Sequence, residues 1–172
     1  IIYKNNQLLG NIVLLCMNID GYYNLNKILS SIHTSRSSSL GANIDLLDNY
    51  KSNLICLSGG RNGICGVNSL TKSLSDSESI IKDISQLFLD KFYIEIDKTE
   101  RQNEDLYINK SLLIASKLNL PVVASNDVLF ISDSDYEANE VKVAINQKTK
   151  LDDRINQNDF SPNQFFKTEQ EI

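Results

Sequence analysis

The chain has 172 residues, which allows one domain with a sizeable core or part of a larger one. A formal charge of −5 gives no indication of a strongly basic face able to hold duplex DNA unaided, so a nucleic-acid role would fall to other parts of a larger protein. Cys16, Cys56 and Cys65 have no Cys-x-x-Cys spacing and no secretory leader, which sets the expectation of a reduced, cytoplasmic protein; no apolar run reaches the ~20 residues that span a bilayer.

The elements read in chain order as follows. Asn11-Ile-Val-Leu-Leu-Cys-Met17 is an apolar run of strand length, followed by turn chemistry at Asn18 to Gly21. Tyr22 to Ile32 places Leu25, Ile28, Leu29 and Ile32 on one helical face, and the Ser-rich stretch from Ser35 to Ala42 reads as a loop. Asn53 to Leu57 is a second strand, with Ser58-Gly59-Gly60-Arg61-Asn62-Gly63 as the turn at its end. Ser77 is the expected cap of a helix whose Ile80, Ile81, Ile84, Leu87 and Phe88 form an apolar stripe. Lys91 to Ile96 alternates like a strand. A charged helix from about Asn103 to Leu118 follows, carrying Leu106, Leu112, Leu113 and Ala115. The strand Pro121 to Ala124 and a helix from about Asp133 to Asn146 come next. Strand and helix alternate about four times, which argues an α/β fold with a parallel sheet. Beyond Lys150, Asp, Asn, Gln and Pro read as an extended linker.

The most informative stretch is Leu120-Pro-Val-Val-Ala-Ser-Asn-Asp-Val-Leu-Phe130 with Asp135-Tyr-Glu-Ala-Asn-Glu-Val141. An apolar strand that ends on Ser125, Asn126 and Asp127 delivers polar groups at the strand end where α/β folds hold ligands. These residues resemble the PHP domain of the bacterial DNA polymerase III alpha subunit, in which the strand reads Leu-Pro-Val-Val-Ala-Thr-Asn-Asp-x-His and the next helix opens Asp-x-x-Ala-His-Glu. Asn126, Asp127, Asp135 and Glu140 carry the match, whereas Leu129 and Asn139 stand where that pattern has histidines. Gly21-Tyr22-x-Asn24-Leu25, Leu54-Ile-Cys-Leu-Ser-Gly-Gly60 and Phe92-Tyr-Ile-Glu-Ile96 are similar to further family elements. So are Leu151-Asp152-Asp153, Ser161-Pro162-x-Gln164 and Glu169-x-Glu171, which resemble the elements leading into the polymerase body.

The resemblance implies part of a distorted (βα)7 TIM-like barrel lacking its first strands. It places a partial PHP domain at 1–149 and, at 150–172, a linker toward the polymerase thumb and palm. Active PHP domains hold adjacent divalent metals, which lower the pKa of a bridging water and clamp a phosphoester. Asn11, Gly60 and Leu129 stand at ligand positions of that cluster, leaving Asp127 as the one matched ligand, so no metal and no catalytic residue is expected here. His33, the one histidine, matches no ligand position and is expected to face solvent.

Structural readings stand beside the functional ones. Asp127 is expected to cap a loop or accept backbone N–H bonds, and Asn126 to be a satisfied polar group at a strand end. Ser58-Gly59-Gly60 lacks the lysine and spacing of a P-loop and reads as a tight βα turn. Cys56 reads as a small core residue, Cys65 has no activating base nearby in sequence, and Glu95 is expected to form an ion pair or hydrogen bond.

The expected function is that of a fragment of a DNA-directed DNA polymerase acting in replication, a nucleotidyltransferase whose Mg²⁺ lies in the polymerase body. The segment itself is expected to be a non-catalytic scaffold that docks the proofreading exonuclease (epsilon) subunit. It would meet the rest of the holoenzyme, and DNA only through other domains, with no membrane partner. Two alternatives remain: a stand-alone PHP metal-dependent phosphoesterase or 3′–5′ exonuclease, which stoichiometric Mn²⁺ or Zn²⁺ would reveal, and a non-functional gene remnant. A start at Ile1 inside an apparently ordered segment adds the expectation of a fragment, poorly stable alone because missing strands expose sheet edges.

Overall fold

The computed structural model describes residues 1–5, 7–34, 41–151 and 160–171. Most of the Ser-rich stretch and the aspartates of the Leu-Asp-Asp element, Asp152 and Asp153, lie outside the described residues. In chain order the elements are β1 (Ile2–Lys4), β2 (Gln7–Gly10), β3 (Val13–Cys16), α1 (Ile19–Thr34), β4 (Ala42–Asn43), α2 (Ile44–Tyr50), β5 (Leu54–Leu57), α3 (Ile64–Thr71), α4 (Leu74–Phe88), β6 (Phe92–Asp97), α5 (Glu104–Leu118), β7 (Val122–Ser125) and α6 (Tyr136–Gln147). They fall into two compact units, one of Ile1–Ile96 with Asp105–Val123 and one of Asp97–Glu104 with Ala124–Ile172.

Two sheets organise the first unit. A small one runs β2-β1-β4, with β1 antiparallel to β2 and parallel to β4. The larger runs β3-β5-β6-β7. Period-2 alternation gives β5 and β6 a core face, Leu54 and Cys56 on one and Phe92 and Ile94 on the other, all fully buried. They join one core cluster with Ile64 of α3, Ile81, Ile84 and Phe88 of α4, and Ile114 of α5. A Leu or Ile to Ala change at such a position costs about 2–5 kcal/mol through lost transfer energy and the cavity left behind.

The sheet is not uniformly parallel. β5 and β6 are parallel as expected, but β3 runs antiparallel to β5, with Val13 opposite Leu57 and Cys16 opposite Leu54. Apolar alternation is the same in either strand direction, so the sequence pattern carries no information about this reversal. An antiparallel strand at the edge of an otherwise parallel sheet is a common arrangement.

Helix starts and faces also differ in detail from the pattern. α4 is capped by Ser73, whose Oγ accepts the Asp76 N–H at 3.1 Å, four residues before the expected Ser77. Ser77 lies buried inside the helix and donates its hydroxyl to the Asn68 carbonyl at 2.9 Å, tying α4 to α3. In α5 the buried face is Tyr107, Ser111, Ile114 and Ala115, while Leu106, Leu112 and Leu113 are exposed. Residues 107, 111 and 114 keep the 3.6 period, and all three leucines fall beside it rather than on it.

Two helices are absent from the sequence reading. α3 follows Gly63 and contains Gly66, a poor helix former. A Cβ at Gly66 would collide with the Arg61 carbonyl, so the turn can pack against the helix only because that position is bare. Asn68 then anchors α3, donating to the Leu9 carbonyl at 2.7 Å and the Ile64 carbonyl at 2.6 Å. The second missing helix, α2, is a short segment with Leu47 fully buried.

In the second unit, Asn126 to Phe130 pairs with the segment from Ser161 onward. Leu129 N–H donates to the Gln164 carbonyl at 2.8 Å, Phe166 N–H to the Phe130 carbonyl at 3.0 Å, and Phe130 and Phe165 form a parallel bridge. Residues 160–166, which composition reads as linker, are thus folded, with Ser161 and Gln164 buried. The helix expected from Asp133 begins as a 3-10 turn, Asp133–Asp135, closed by a capping box between Ser132 and Asp135, and continues as α6.

Replacing Ser73 by Ala is expected to lower stability by about 1 kcal/mol, the usual value of an N-cap. The check is a shift of the urea midpoint with an unchanged slope.

Candidate functional site

The residues at family ligand positions are best described unit by unit. In the first, the Ser58-to-Gly63 turn connects β5 to α3. Gly59 and Gly60 take φ of +82° and +58°, a left-handed path that glycine follows without strain. The Gly63 N–H returns to the Gly60 carbonyl at 3.2 Å, and the Ile64 N–H at the start of α3 donates to the Asn11 carbonyl at 2.7 Å. The Asn11 side-chain amide reaches the Asn62 carbonyl at 3.4 Å. On the other side, Ser58 N–H donates to the Tyr93 carbonyl at 3.0 Å, and buried Ser58 Oγ accepts the Glu95 N–H at 2.9 Å. The turn brings Asn11 and Gly60 together, as a brace: one is bonded through its backbone and amide, the other has no side chain. The tight-turn reading holds.

Glu95 stands on β6, and its Oε2 is buried with no hydrogen-bond partner among the described residues, in place of the expected ion pair or hydrogen bond. Cys56 lies in the core, where burial pushes its thiol far above the ordinary value. Burial also raises Cys65, against which its hydrogen bond to Ser111 pulls down; its sulfur stands 3.3 Å from Ser111 Oγ. Cys16 is exposed. His33 sits exposed in the last turn of α1.

The second unit holds a polar cluster that the sequence reading missed. Arg101 is 4% exposed and donates through Nη2 to Asp97 Oδ2 at 2.6 Å, a partner 5% exposed, and through Nε to Thr99 Oγ1 at 2.8 Å. Nη1 meets Asp127 Oδ2 at 3.1 Å. Glu104 closes the loop from the other side: Oε1 accepts the Thr99 N–H at 2.7 Å and Thr99 Oγ1–H at 3.1 Å, and Oε2 accepts the Glu100 N–H at 2.8 Å. A planar guanidinium suits this task because its fixed fork serves several acceptors at once.

Asp127 therefore does not take the expected backbone N–H bonds. Its Oδ2 receives Arg101 and also Gln164 Nε2 at 3.0 Å, while Gln164 Oε1 accepts the Ser161 N–H at 2.9 Å. The side chains of two family elements, Asn126-Asp127 and Ser161-x-x-Gln164, are thus joined directly. Asn126 donates to the Phe165 carbonyl at 2.7 Å, but its Oδ1 is buried without a partner among the described residues, so it is only half satisfied. Leu129 is partly exposed and engaged through its backbone. Asp135 accepts the Ser132 N–H, and Glu140 accepts the Tyr136 hydroxyl at 3.0 Å, so both serve helix geometry.

Mixed sheets flanked by helices, with polar residues gathered at strand ends, define an α/β domain. The chain belongs to the PHP domain family, whose pattern matches residues 3–99. It is 33% identical over 163 residues to the DNA polymerase III subunit alpha of Haemophilus influenzae and 35% identical over 162 residues to that of Pasteurella multocida. The subunit of Escherichia coli strain K12 is 33% identical over 166 residues. These matches cover 94–95% of this chain but 14% of each relative's length.

The metal cluster that the family implies does not fit this donor set. In the first unit, where the resemblance implies ligands at Asn11 and Gly60, the chain offers an amide and no side chain. In the second, the Asp127 oxygen is already bound by a cation and an amide N–H. Among the described residues no three His, Cys, Asp or Glu side chains gather closely enough to hold a metal, and no helix is long and apolar enough to cross a membrane.

Glu104→Ala would strand the Thr99 and Glu100 amides, and about 2–4 kcal/mol of stability is expected to be lost, read by denaturant unfolding. Thiol labelling gives a second check. Cys16 is expected to react at once, whereas Cys56 and Cys65 react only on unfolding. Because their folded values lie above the unfolded ones, each is also expected to reduce stability as pH rises beyond the unfolded thiol value of about 8.5, by up to ~1.4 kcal/mol per pH unit.

Proposed function

We propose that this chain is the PHP region of a replicative DNA polymerase of the polymerase III alpha type, acting as a non-catalytic scaffold that docks a proofreading 3′–5′ exonuclease subunit. The observation that carries this reading is the match across nearly the whole chain to 14% of several alpha subunits. The loss of catalytic function is supported by Asn11, Gly60 and Leu129 at ligand positions and by Arg101 at Asp127. Nucleotidyl transfer, its Mg²⁺ and the DNA contacts belong to other domains of the parent polypeptide, in the cytoplasm.

The sheet is best read as part of a distorted (βα)7 barrel whose first strands lie outside this chain. Edge strand β3 supports this, because Val13 and Leu15 are 41% and 46% exposed on the face turned away from Leu14. Residues 150–172 would lead toward the polymerase body.

The test is to read the coding DNA on both sides and express the polypeptide it specifies. A frame continuing into a palm with paired aspartates, co-elution with the exonuclease subunit from the same source, and far less than one Mn²⁺ or Zn²⁺ per chain are expected. Stop codons on both sides, or stoichiometric metal with phosphoesterase activity, would overturn the reading.

A further inference from the structure

The cluster around Arg101 is built before Asp127 is reached. Arg101 Nε is held by Thr99 Oγ1 at 2.8 Å, Thr99 is held by Glu104, and Nη2 is held by buried Asp97 at 2.6 Å. Three contacts on other groups therefore aim Nη1 at Asp127, 3.1 Å away. The second neighbour of Asp127 Oδ2, Gln164 Nε2, is also a donor, and its amide orientation is fixed by the Ser161 N–H on Oε1. A divalent cation requires lone pairs, and those of Oδ2 face two N–H groups, which leaves a metal no more than Oδ1 of this carboxylate. It would also stand beside a guanidinium that stays charged at any working pH.

We propose that Arg101 is a permanent internal cation that takes the place of the metal at Asp127, neutralising Asp97 and Asp127 so that this unit keeps its family architecture without a metal. This rests on the reading that Asp127 stands at a PHP ligand position. The guanidinium supplies the charge, and its fork supplies the geometry that a metal's coordination sphere would otherwise impose. The unit is then indifferent to chelators, and Arg101 is a structural residue with no part in a reaction.

The test uses the 172-residue chain, with Mn²⁺ as probe, circular dichroism for melting and electron paramagnetic resonance for bound ion. Wild type is expected to bind no Mn²⁺ at about 1 mM and to melt at the same temperature with EDTA or Mn²⁺. Arg101→Met, which removes the cation that Asp97 and Asp127 share, is expected to melt lower in EDTA and to regain about 4 °C or more with Mn²⁺. Arg101→Met melting like wild type would overturn the proposal while leaving the scaffold reading intact. If Arg101→Met shows no cooperative transition, wild type and Asp127→Asn decide. No Mn²⁺ signal in either supports the proposal. Stoichiometric Mn²⁺ in wild type that Asp127→Asn abolishes overturns both the proposal and the non-catalytic reading.

Discussion

Burying a guanidinium carries a large desolvation cost, which is offset only when nearly every N–H finds an acceptor of good geometry. In the second unit that condition organises everything around Arg101. Asp97 comes from the end of β6, Thr99 and Glu104 from the loop and the start of α5, and Asp127 from the segment after β7. Gln164 adds the 161–166 segment through the same carboxylate. Each partner has its own second bond, so the cluster is a closed network in which the loss of one member strands another. This is how residues 161–166 fold despite a linker-like composition: the Gln164 side chain ties them to Asp127, and backbone bonds to Leu129 and Phe130 do the rest.

The first unit is organised differently. Its core is apolar, and polar groups act at seams where elements meet: Asn68 between α3 and β2, Ser77 between α4 and α3, Ser58 between the turn and β6. Each seam satisfies a backbone group that would otherwise be buried bare. The positions at which PHP relatives are expected to carry ligands have joined this pattern, Asn11 bracing the start of α3 and Gly60 shaping the turn.

The sequence reading was most secure where one period spans an element. The stripe of α4, the alternation of β5 and β6, and the strand leading to Asn126 could all be seen, because burial on one face leaves a repeating signature. What stayed hidden depends on pairing between distant residues. The direction of β3 and the burial of Leu47 in α2 have no periodic trace. Arg101 drew no attention in the sequence, because nothing local in Asp97-Lys-Thr-Glu-Arg101 distinguishes a buried ion pair from an exposed one. Asp127 stands out in the sequence, but its partners, 26 and 37 positions away, do not.

The Asn68 amide has a consequence for how the chain assembles. One of its bonds is local, to Ile64, and the other crosses 59 residues to Leu9. The strand β2 precedes α3 in the chain and cannot complete this bond until α3 exists, and the loop closed in between must be ordered before the contact repays it. Until then, Leu8 and Leu9 belong to a hairpin without its lid, a state in which two-stranded structure is at best marginally stable. Formation of this corner of the fold is therefore a late, long-range event, and during the delay the β1–β2 hairpin is the part of the nascent chain most open to pairing with the wrong neighbour.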